Sequence, residues 1–290
     1  MGSGRSRASS LGISNTVTAD AWRNRPEIEV TPIVDEENLR AMFSSERKIV
    51  DEALETAPDN GAISKNTFDE LTRTGTNIVG IVPVTSKAKT DMLGGEITDL
   101  KHLEKRFNVR EGTVGVVCET VAKTTLRLNK VAQKLGVEVP NAINFGKDEI
   151  AQILDKRAFV AASYSPKTKS IYPGDSSNTY NWNIDLVIKS QNRGFENNFS
   201  LGSTPVASIV HEYGHHIENV AFNRNAQVGS GRRKLTAVSA YGNVNDREAF
   251  AEAFTMYCYD AKPQQGKVYY ANFKKLMKDS GLEAFKGCMK

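Results

Sequence analysis

Cysteine is scarce in this chain. Its 290 residues include only three cysteines, which are odd in number, far apart and never spaced as CxxC. That pattern disfavours a disulfide framework and a cysteine metal site, and it is typical of a reducing compartment. The three residues are Cys118, Cys258 and Cys288, of which Cys258 lies in an apolar helical pattern and is predicted to be buried.

Long apolar runs and a strong charge excess are also missing. No stretch reaches the 18 apolar residues that a membrane span requires, so no span is predicted. Residues 1–20 carry positive charge without an apolar run behind it, which does not fit a secretory signal peptide. The net charge of +4 is mild and does not indicate nucleic acid as a partner. We expect an intracellular or virion-associated protein, and the sequence makes no prediction of its oligomeric state.

The remaining pattern mixes helices and strands and predicts an α+β fold. Apolar residues at helical spacing predict helices at 36–57, 97–107, 114–136, 148–158, 205–222, 246–260 and 268–279. Short β-rich runs predict strands at 78–84, 159–164, 170–172 and 184–190, with the second and third forming a hairpin. Pro83 indicates that the first strand lies at a sheet edge. We interpret residues 1–30 as a flexible arm, 31–110 as a mostly helical N-terminal region, and 111–290 as the main domain.

Three of the four histidines stand together in HEYGHH. Thr204 and Pro205 supply a hydroxyl cap followed by a proline, which predicts that a helix begins there. Residues four apart share one helix face, so His211 and His215 can direct their imidazoles at one cation. Glu212 is offset by about 100° and can reach a metal-bound water without ligating the metal. This is the HExxH pattern of zinc metalloproteases, although an ordinary polar helix face can also carry it.

A catalytic zinc site needs a third protein ligand. His216 lies about 140° around the helix from His211, so we expect it to contact a ligand or to be exposed. Glu248, with Glu252 one turn later, is a candidate ligand on a second helix. However, Asn245 and Glu248 also have the spacing of a capping box, and Glu252 alone can be a surface charge. Spacing leaves these alternatives open.

The two motifs together resemble a known family. HEYGH followed by S-x-YG-x-x-N-x-x-E-x-FAEAF resembles the catalytic domain of anthrax lethal factor. It is also similar to metallopeptidase domains of phage minor head proteins and bacterial toxins. The resemblance spans about 200–260, extends weakly to about 155, and does not reach residues 1–110. It implies a zincin-like gluzincin domain over 111–290, with a small mixed sheet and an active-site helix.

The resemblance also implies a role for each matched residue. Without it, a tyrosine beside a glycine, such as Tyr241, would be an ordinary packing residue. The resemblance implies that His211, His215 and Glu248 are the Zn²⁺ ligands and that Glu212 is the catalytic glutamate. It implies that Tyr241 is the oxyanion donor. Glu252 would be a carboxylate behind a ligating histidine.

Three functional interpretations follow. The first is a zinc-dependent endopeptidase acting on a protein or peptide substrate, as a phage protein or a delivered effector. The second is a non-enzymatic structural or capsid-associated protein that keeps a zinc site. The third is a helical binding module without metal. Under the first, an exposed edge of the strands at 159–164 and 170–172 would let an extended peptide add as a further strand.

Overall fold

A computed structural model describes the chain over seven segments: residues 33–58, 62–80, 114–145, 162–173, 200–201, 204–228 and 235–290. They belong to one compact unit, Thr31–Lys290. The predicted helices at 97–107 and 148–158, the strand at 184–190 and the arm at 1–30 lie outside the described residues.

Six helices and four strands occupy the described residues, so the fold is α+β as predicted. The helices are α1 (Glu36–Thr56), α2 (Lys65–Arg73), α3 (Val114–Lys134), α4 (Pro205–Phe222), α5 (Asp246–Cys258) and α6 (Lys267–Asp279). The strands are β1 (Asn77–Val79), β2 (Ala142–Asn144), β3 (Ala162–Ser165) and β4 (Ser170–Pro173). Short 3-10 turns lie at Tyr241–Asn243 and Glu283–Phe285.

Five predicted helices, α1 and α3 to α6, are confirmed with ends that differ by no more than two residues. The helix α2 is not among the predictions, because Phe68 and Leu71 are its only apolar residues. Its N-cap is Ser64, whose side chain accepts a hydrogen bond from the backbone N–H of Thr67. The strand β2 is not predicted either. The strand β1 contains residues 78 and 79 of the predicted strand at 78–84, of which residues 81–84, with Pro83, lie outside the described part of the chain.

The described strands form one mixed sheet in the order β1-β2-β4-β3. The β1–β2 and β2–β4 pairs are parallel, and β3 pairs antiparallel with β4, which confirms the predicted hairpin. Within this sheet β1 and β3 are the edge strands. The edge strand β3 packs against α4, the helix that carries HEYGHH.

The helices α1 and α2 pack on α3. The Glu119 carboxylate of α3 is fully buried and accepts hydrogen bonds from the Ser64 backbone N–H at 2.8 Å and the Thr56 hydroxyl at 3.0 Å. A buried charge is stable only with such donors around it. The predicted boundary between 110 and 111 lies outside the described residues and stays a prediction. The described residues on both of its sides belong to the same compact unit.

The helix α4 lies between α3 and α5. The ring of Tyr213 stacks on Phe254 of α5, with centroids 6.5 Å apart, and its hydroxyl donates to Oδ1 of Asn129 on α3 at 3.0 Å. Two partners of different chemistry therefore fix how α4 is rotated about its axis. Among the described residues, no helix has the length and apolar character needed to cross a bilayer.

Candidate metal centre

The helix α4 begins and ends where its sequence predicts. The Thr204 hydroxyl accepts a hydrogen bond from the Ala207 backbone N–H at 2.9 Å, and Pro205 opens the first turn. Asn223 ends the helix in the left-handed conformation, with φ of 50°. Both caps satisfy backbone groups that a helix end leaves unpaired. His211 and His215 therefore lie in the regular middle of the helix, on one face.

Three possible ligand atoms converge beside that face. The Glu248 Oε2 atom, from α5, lies 3.0 Å from His211 Nε2 and 3.2 Å from His215 Nε2. All three ligand atoms lie within 4.8 Å of one another. The helix pair thus brings together the two histidines and the carboxylate that the sequence singles out, and this group can hold a metal ion.

The capping alternative for Glu248 is true in part. The Asn245 side chain caps α5, accepting hydrogen bonds from the backbone N–H groups of Arg247 and Glu248 at 3.0 Å each. The Glu248 carboxylate, however, is directed at the two histidines. The Asn245 cap therefore binds the backbone of Glu248 in the first turn of α5, while the Glu248 side chain contacts the two histidines.

Glu252 is not a surface charge. Its carboxylate is fully buried and accepts hydrogen bonds from the Ser200 hydroxyl at 2.8 Å and the Leu201 backbone N–H at 2.9 Å. Its Oε1 atom also lies 3.0 Å from His211 Nδ1, although this contact is not aligned as a hydrogen bond. A carboxylate behind a ligating imidazole favours one ring orientation and tautomer.

The charges of the group depend on one another. Burial alone lowers the pKa of His211, but the carboxylates of Glu248 and Glu252 outweigh it and raise that pKa to about 10. Burial alone raises the pKa of Glu248, but hydrogen bonds with His211 and His215 lower it well below its usual value. A cation at this position is therefore strongly favoured, whether it is a proton or a metal ion.

Gly214 lets α4 and α5 approach closely. A Cβ atom at this residue would lie 3.0 Å from the Ala251 Cα atom and 3.2 Å from the Phe254 Cβ atom. Such a backbone contact cannot be relieved by rotating a side chain. The glycine thus sets the distance across which Glu248 reaches the histidines of α4.

A cavity of about 740 Å³ opens beside the group, and Glu212, His215, Tyr241 and Glu248 are among its lining residues. Burial raises the pKa of Glu212, against the opposing effect of the histidines. Burial and the charge of Glu248 likewise raise the pKa of Tyr241, which keeps its hydroxyl protonated. The ring centroid of Tyr241 lies 5.7 Å from that of His211.

His216 is neither exposed nor part of the ligand group. It is fully buried, and its Nε2 atom lies 2.7 Å from the Glu138 carbonyl oxygen. Its Nδ1 atom lies 3.1 Å from the Tyr164 hydroxyl of β3. Burial lowers its pKa to about 4, so the imidazole is neutral near pH 7. The expectation that it is exposed or contacts a ligand is replaced by a role between α4 and β3.

The sequence did not single out several residues that line the cavity. Glu218 and Asn219 stand three and four residues after His215, so helical spacing alone would have placed them on its face. Tyr164 also lines the cavity, but it lies on a strand, and helical spacing therefore could not place it beside His215.

The donor set fits zinc. Bonds from Zn²⁺ to imidazole nitrogen and carboxylate oxygen are about 2.0–2.2 Å, so neighbouring ligand atoms of a tetrahedral site lie about 3.3 Å apart. The two nitrogen–oxygen separations here are 3.0 and 3.2 Å, and the nitrogen–nitrogen separation is within 4.8 Å. Two imidazoles and one carboxylate also leave a fourth position for water, as catalytic zinc sites do.

Comparison of the chain with protein-family models, with curated proteins and with solved structures gave no significant match in any of the three. The resemblance to lethal-factor-like metallopeptidases therefore rests on the two motifs, and the chemistry of the site has to be argued from its geometry.

Proposed function

We propose that this protein is a zinc-dependent endopeptidase of gluzincin type, with a zincin-like catalytic domain over 111–290. The observation that carries the proposal is the convergence of His211, His215 and Glu248 within 4.8 Å, with His215 and Glu248 at the wall of a cavity. His211 and His215 would hold the ion by Nε2 and Glu248 by a carboxylate oxygen. Zinc held there would act as a Lewis acid and lower the pKa of water to about 7.

Glu212 supplies the proton-transfer group. It follows His211 directly, lines the same cavity and is only 8% exposed. Burial raises its pKa above that of an ordinary glutamate, which makes it a better proton acceptor. It takes the proton from the attacking water and passes it to the leaving amine.

Tyr241 supplies a hydroxyl to the oxygen of the reacting carbonyl. Its raised pKa keeps the proton in place, so the group is a hydrogen-bond donor at neutral pH. A donor placed where negative charge develops lowers the barrier by about 3–4 kcal/mol in comparable enzymes. The turn Tyr241–Asn243, directly before α5, holds this side chain beside Glu248.

The substrate is an extended peptide that adds to β3. Ala162, Ser163 and Tyr164 of this strand line the same cavity as Glu212 and His215. Because β3 is an edge of the described sheet, its outer backbone groups can pair with a peptide. Proline substitutions along β3 should therefore abolish peptide binding, and retained binding would contradict this part of the proposal. The phage or effector setting is supported by the motif resemblance.

Metal content is the first test of the proposed function. Zinc per chain should be about one in the wild type and should be largely lost in Glu248→Ala. Glu55→Ala, which removes an exposed carboxylate of α1, is the matched control and should keep the metal. A wild type that binds no zinc would leave the chain as a metal-free helical module.

Turnover is the second test. The zinc-loaded protein is incubated with a proteome-derived peptide mixture, and new termini are identified by mass spectrometry. We expect cleavage by the wild type and none by Glu212→Gln, which should still bind zinc. Zinc binding without cleavage by the wild type would favour the non-enzymatic alternative.

A further inference from the structure

Three side chains join the edge strand β3 to the helix α4. The hydroxyl of Tyr164 lies 3.1 Å from His216 Nδ1, and the amide nitrogen of Asn219 donates to the same hydroxyl at 3.0 Å. We call these three residues the Tyr164 cluster. Among the described residues, this cluster contains the hydrogen bonds between polar side chains of α4 and a side chain of β3.

The hydrogen bonds of the cluster define one arrangement. The Nε2 atom of His216 faces the Glu138 carbonyl oxygen, which can only accept, so Nε2 carries the proton. In the neutral ring, Nδ1 is then an acceptor, and the Tyr164 hydroxyl donates to it. The Tyr164 oxygen in turn accepts from Asn219. The Tyr164 hydroxyl and both ring nitrogens of His216 therefore have partners in this partly buried contact, which favours a single position of the tyrosine ring.

The cluster lies on the face of α4 that carries the proposed base. Residues 212, 216 and 219 follow at intervals of four and three, so they share one face of the helix. The backbone N–H of Tyr164 also faces the Glu212 carboxylate closely enough to lower its pKa slightly, against the larger effect of burial. Tyr164 therefore contacts α4 twice, by its side chain at His216 and by its backbone at Glu212. The ligating atoms of His211 and His215 instead point toward Glu248 of α5.

We propose that the Tyr164 cluster positions β3 against α4, and that it thereby fixes the register of a bound peptide relative to Glu212. The inference rests on the proposed endopeptidase function. His216 and Asn219 are positioning residues, because they act through Tyr164 and reach the substrate only by way of the strand. Loss of the cluster should leave metal binding intact and impair the binding of an extended peptide.

Tyr164→Phe removes one hydroxyl and tests this directly. Tyr172→Phe is the matched control, because its hydroxyl lies on the neighbouring strand β4 and contacts Thr168 at 3.2 Å. Two zinc-binding probes are titrated calorimetrically against each zinc-loaded variant. Acetohydroxamate is too small to reach along the strand, whereas acetyl-Ala-Leu-Gly hydroxamate can also pair with β3.

We expect Tyr164→Phe to bind the tripeptide probe about fivefold to tenfold more weakly than the wild type, the equivalent of about one net hydrogen bond. Its zinc content and its affinity for acetohydroxamate should be unchanged, and Tyr172→Phe should match the wild type throughout. The NMR signal of the Tyr164 amide should shift in His216→Gln and in Asn219→Ala, because the N–H that faces Glu212 moves with the strand. Asn219→Ala also serves as the second variant if Tyr164→Phe does not fold.

Unchanged tripeptide affinity in a folded, zinc-loaded Tyr164→Phe would overturn the proposal. Equal weakening of both probes would overturn it too, because the effect would then run through the metal. If the zinc-loaded wild type binds neither probe, the endopeptidase proposal itself fails. That outcome is distinct from one in which the wild type binds both probes and Tyr164→Phe binds the tripeptide probe equally well.

Discussion

Glu46 is a buried acid that the proposed mechanism does not use, and it makes a sharp test of the fold. Its side chain, on α1, is 6% exposed and accepts a hydrogen bond from the Tyr259 hydroxyl at 2.8 Å. Burial raises its pKa to about 7, although hydrogen bonds with Tyr259 and Thr204 counteract part of that increase. Thr204 caps α4 and Tyr259 ends α5, so this carboxyl group joins α1 to both helices of the site.

The sign and size of its effect on stability follow from the pKa. Below pH 4.5 the carboxyl is protonated in the folded and the unfolded chain alike. Between pH 4.5 and about 7 the unfolded chain loses this proton while the folded chain keeps it, so the free energy of unfolding falls as pH rises. A pKa of about 7 in place of 4.5 corresponds to about 3 kcal/mol, all of it lost above pH 7.

Glu46→Gln should therefore stabilise the protein at high pH only. The amide resembles the protonated acid, so we expect the variant to equal the wild type at pH 4.5 and to exceed its unfolding free energy by about 3 kcal/mol at pH 8. Urea denaturation followed by circular dichroism at both pH values measures this. Glu55→Gln, an exposed change on the same helix, controls for net charge. A difference that is the same at both pH values would refute the reasoning.

Three further predictions concern the site. Gly214→Ala gains about 1 kcal/mol of helix propensity, but its Cβ would overpack against Ala251 at a cost of about 1–3 kcal/mol. We expect lower stability in urea and weaker zinc binding. Unchanged values for both would show that α4 and α5 can move apart to accommodate the added Cβ atom. Since the pKa of His211 is about 10 when no metal is bound, zinc must displace a proton at pH 7. Zinc affinity measured by chelator competition should rise about tenfold per pH unit from pH 6 to 8, and an affinity independent of pH would contradict the assigned charge. Tyr241→Phe should lower kcat by about 10²–10³-fold at unchanged zinc content, and a changed KM alone would make Tyr241 a binding residue.

Local sequence was sufficient for the elements that carry the site. Thr204 and Pro205 indicate where α4 begins, and the four-residue interval places His211 and His215 on one face of it. Both signals depend only on helix geometry and on residues within one or two turns of each other. The hairpin β3–β4 was predictable for the same reason, because its two strands are joined by a short turn.

The tertiary structure decided what local spacing left open. The interval between Asn245 and Glu248 fits a capping box and a ligand equally well, and only the close approach of α5 to α4 at Gly214 directs the carboxylate toward the histidines. Glu252 is stable in its buried position because the Ser200 hydroxyl and the Leu201 backbone N–H, about fifty residues earlier, donate to it. Such contacts join residues far apart in the chain, and no periodic pattern in the sequence predicts them.

His216 shows the same limit. Helix rotation excluded it from the ligand group, which the structure bears out, but rotation says nothing about what lies on the other side of the helix. Its partners, the Glu138 carbonyl and the Tyr164 hydroxyl, are 78 and 52 residues away. The sequence by itself determined which side chains share a face of α4. The packing of β3 and α5 on that helix decided which of its side chains meet β3 and which meet Glu248, because packing depends on the shape of the whole core.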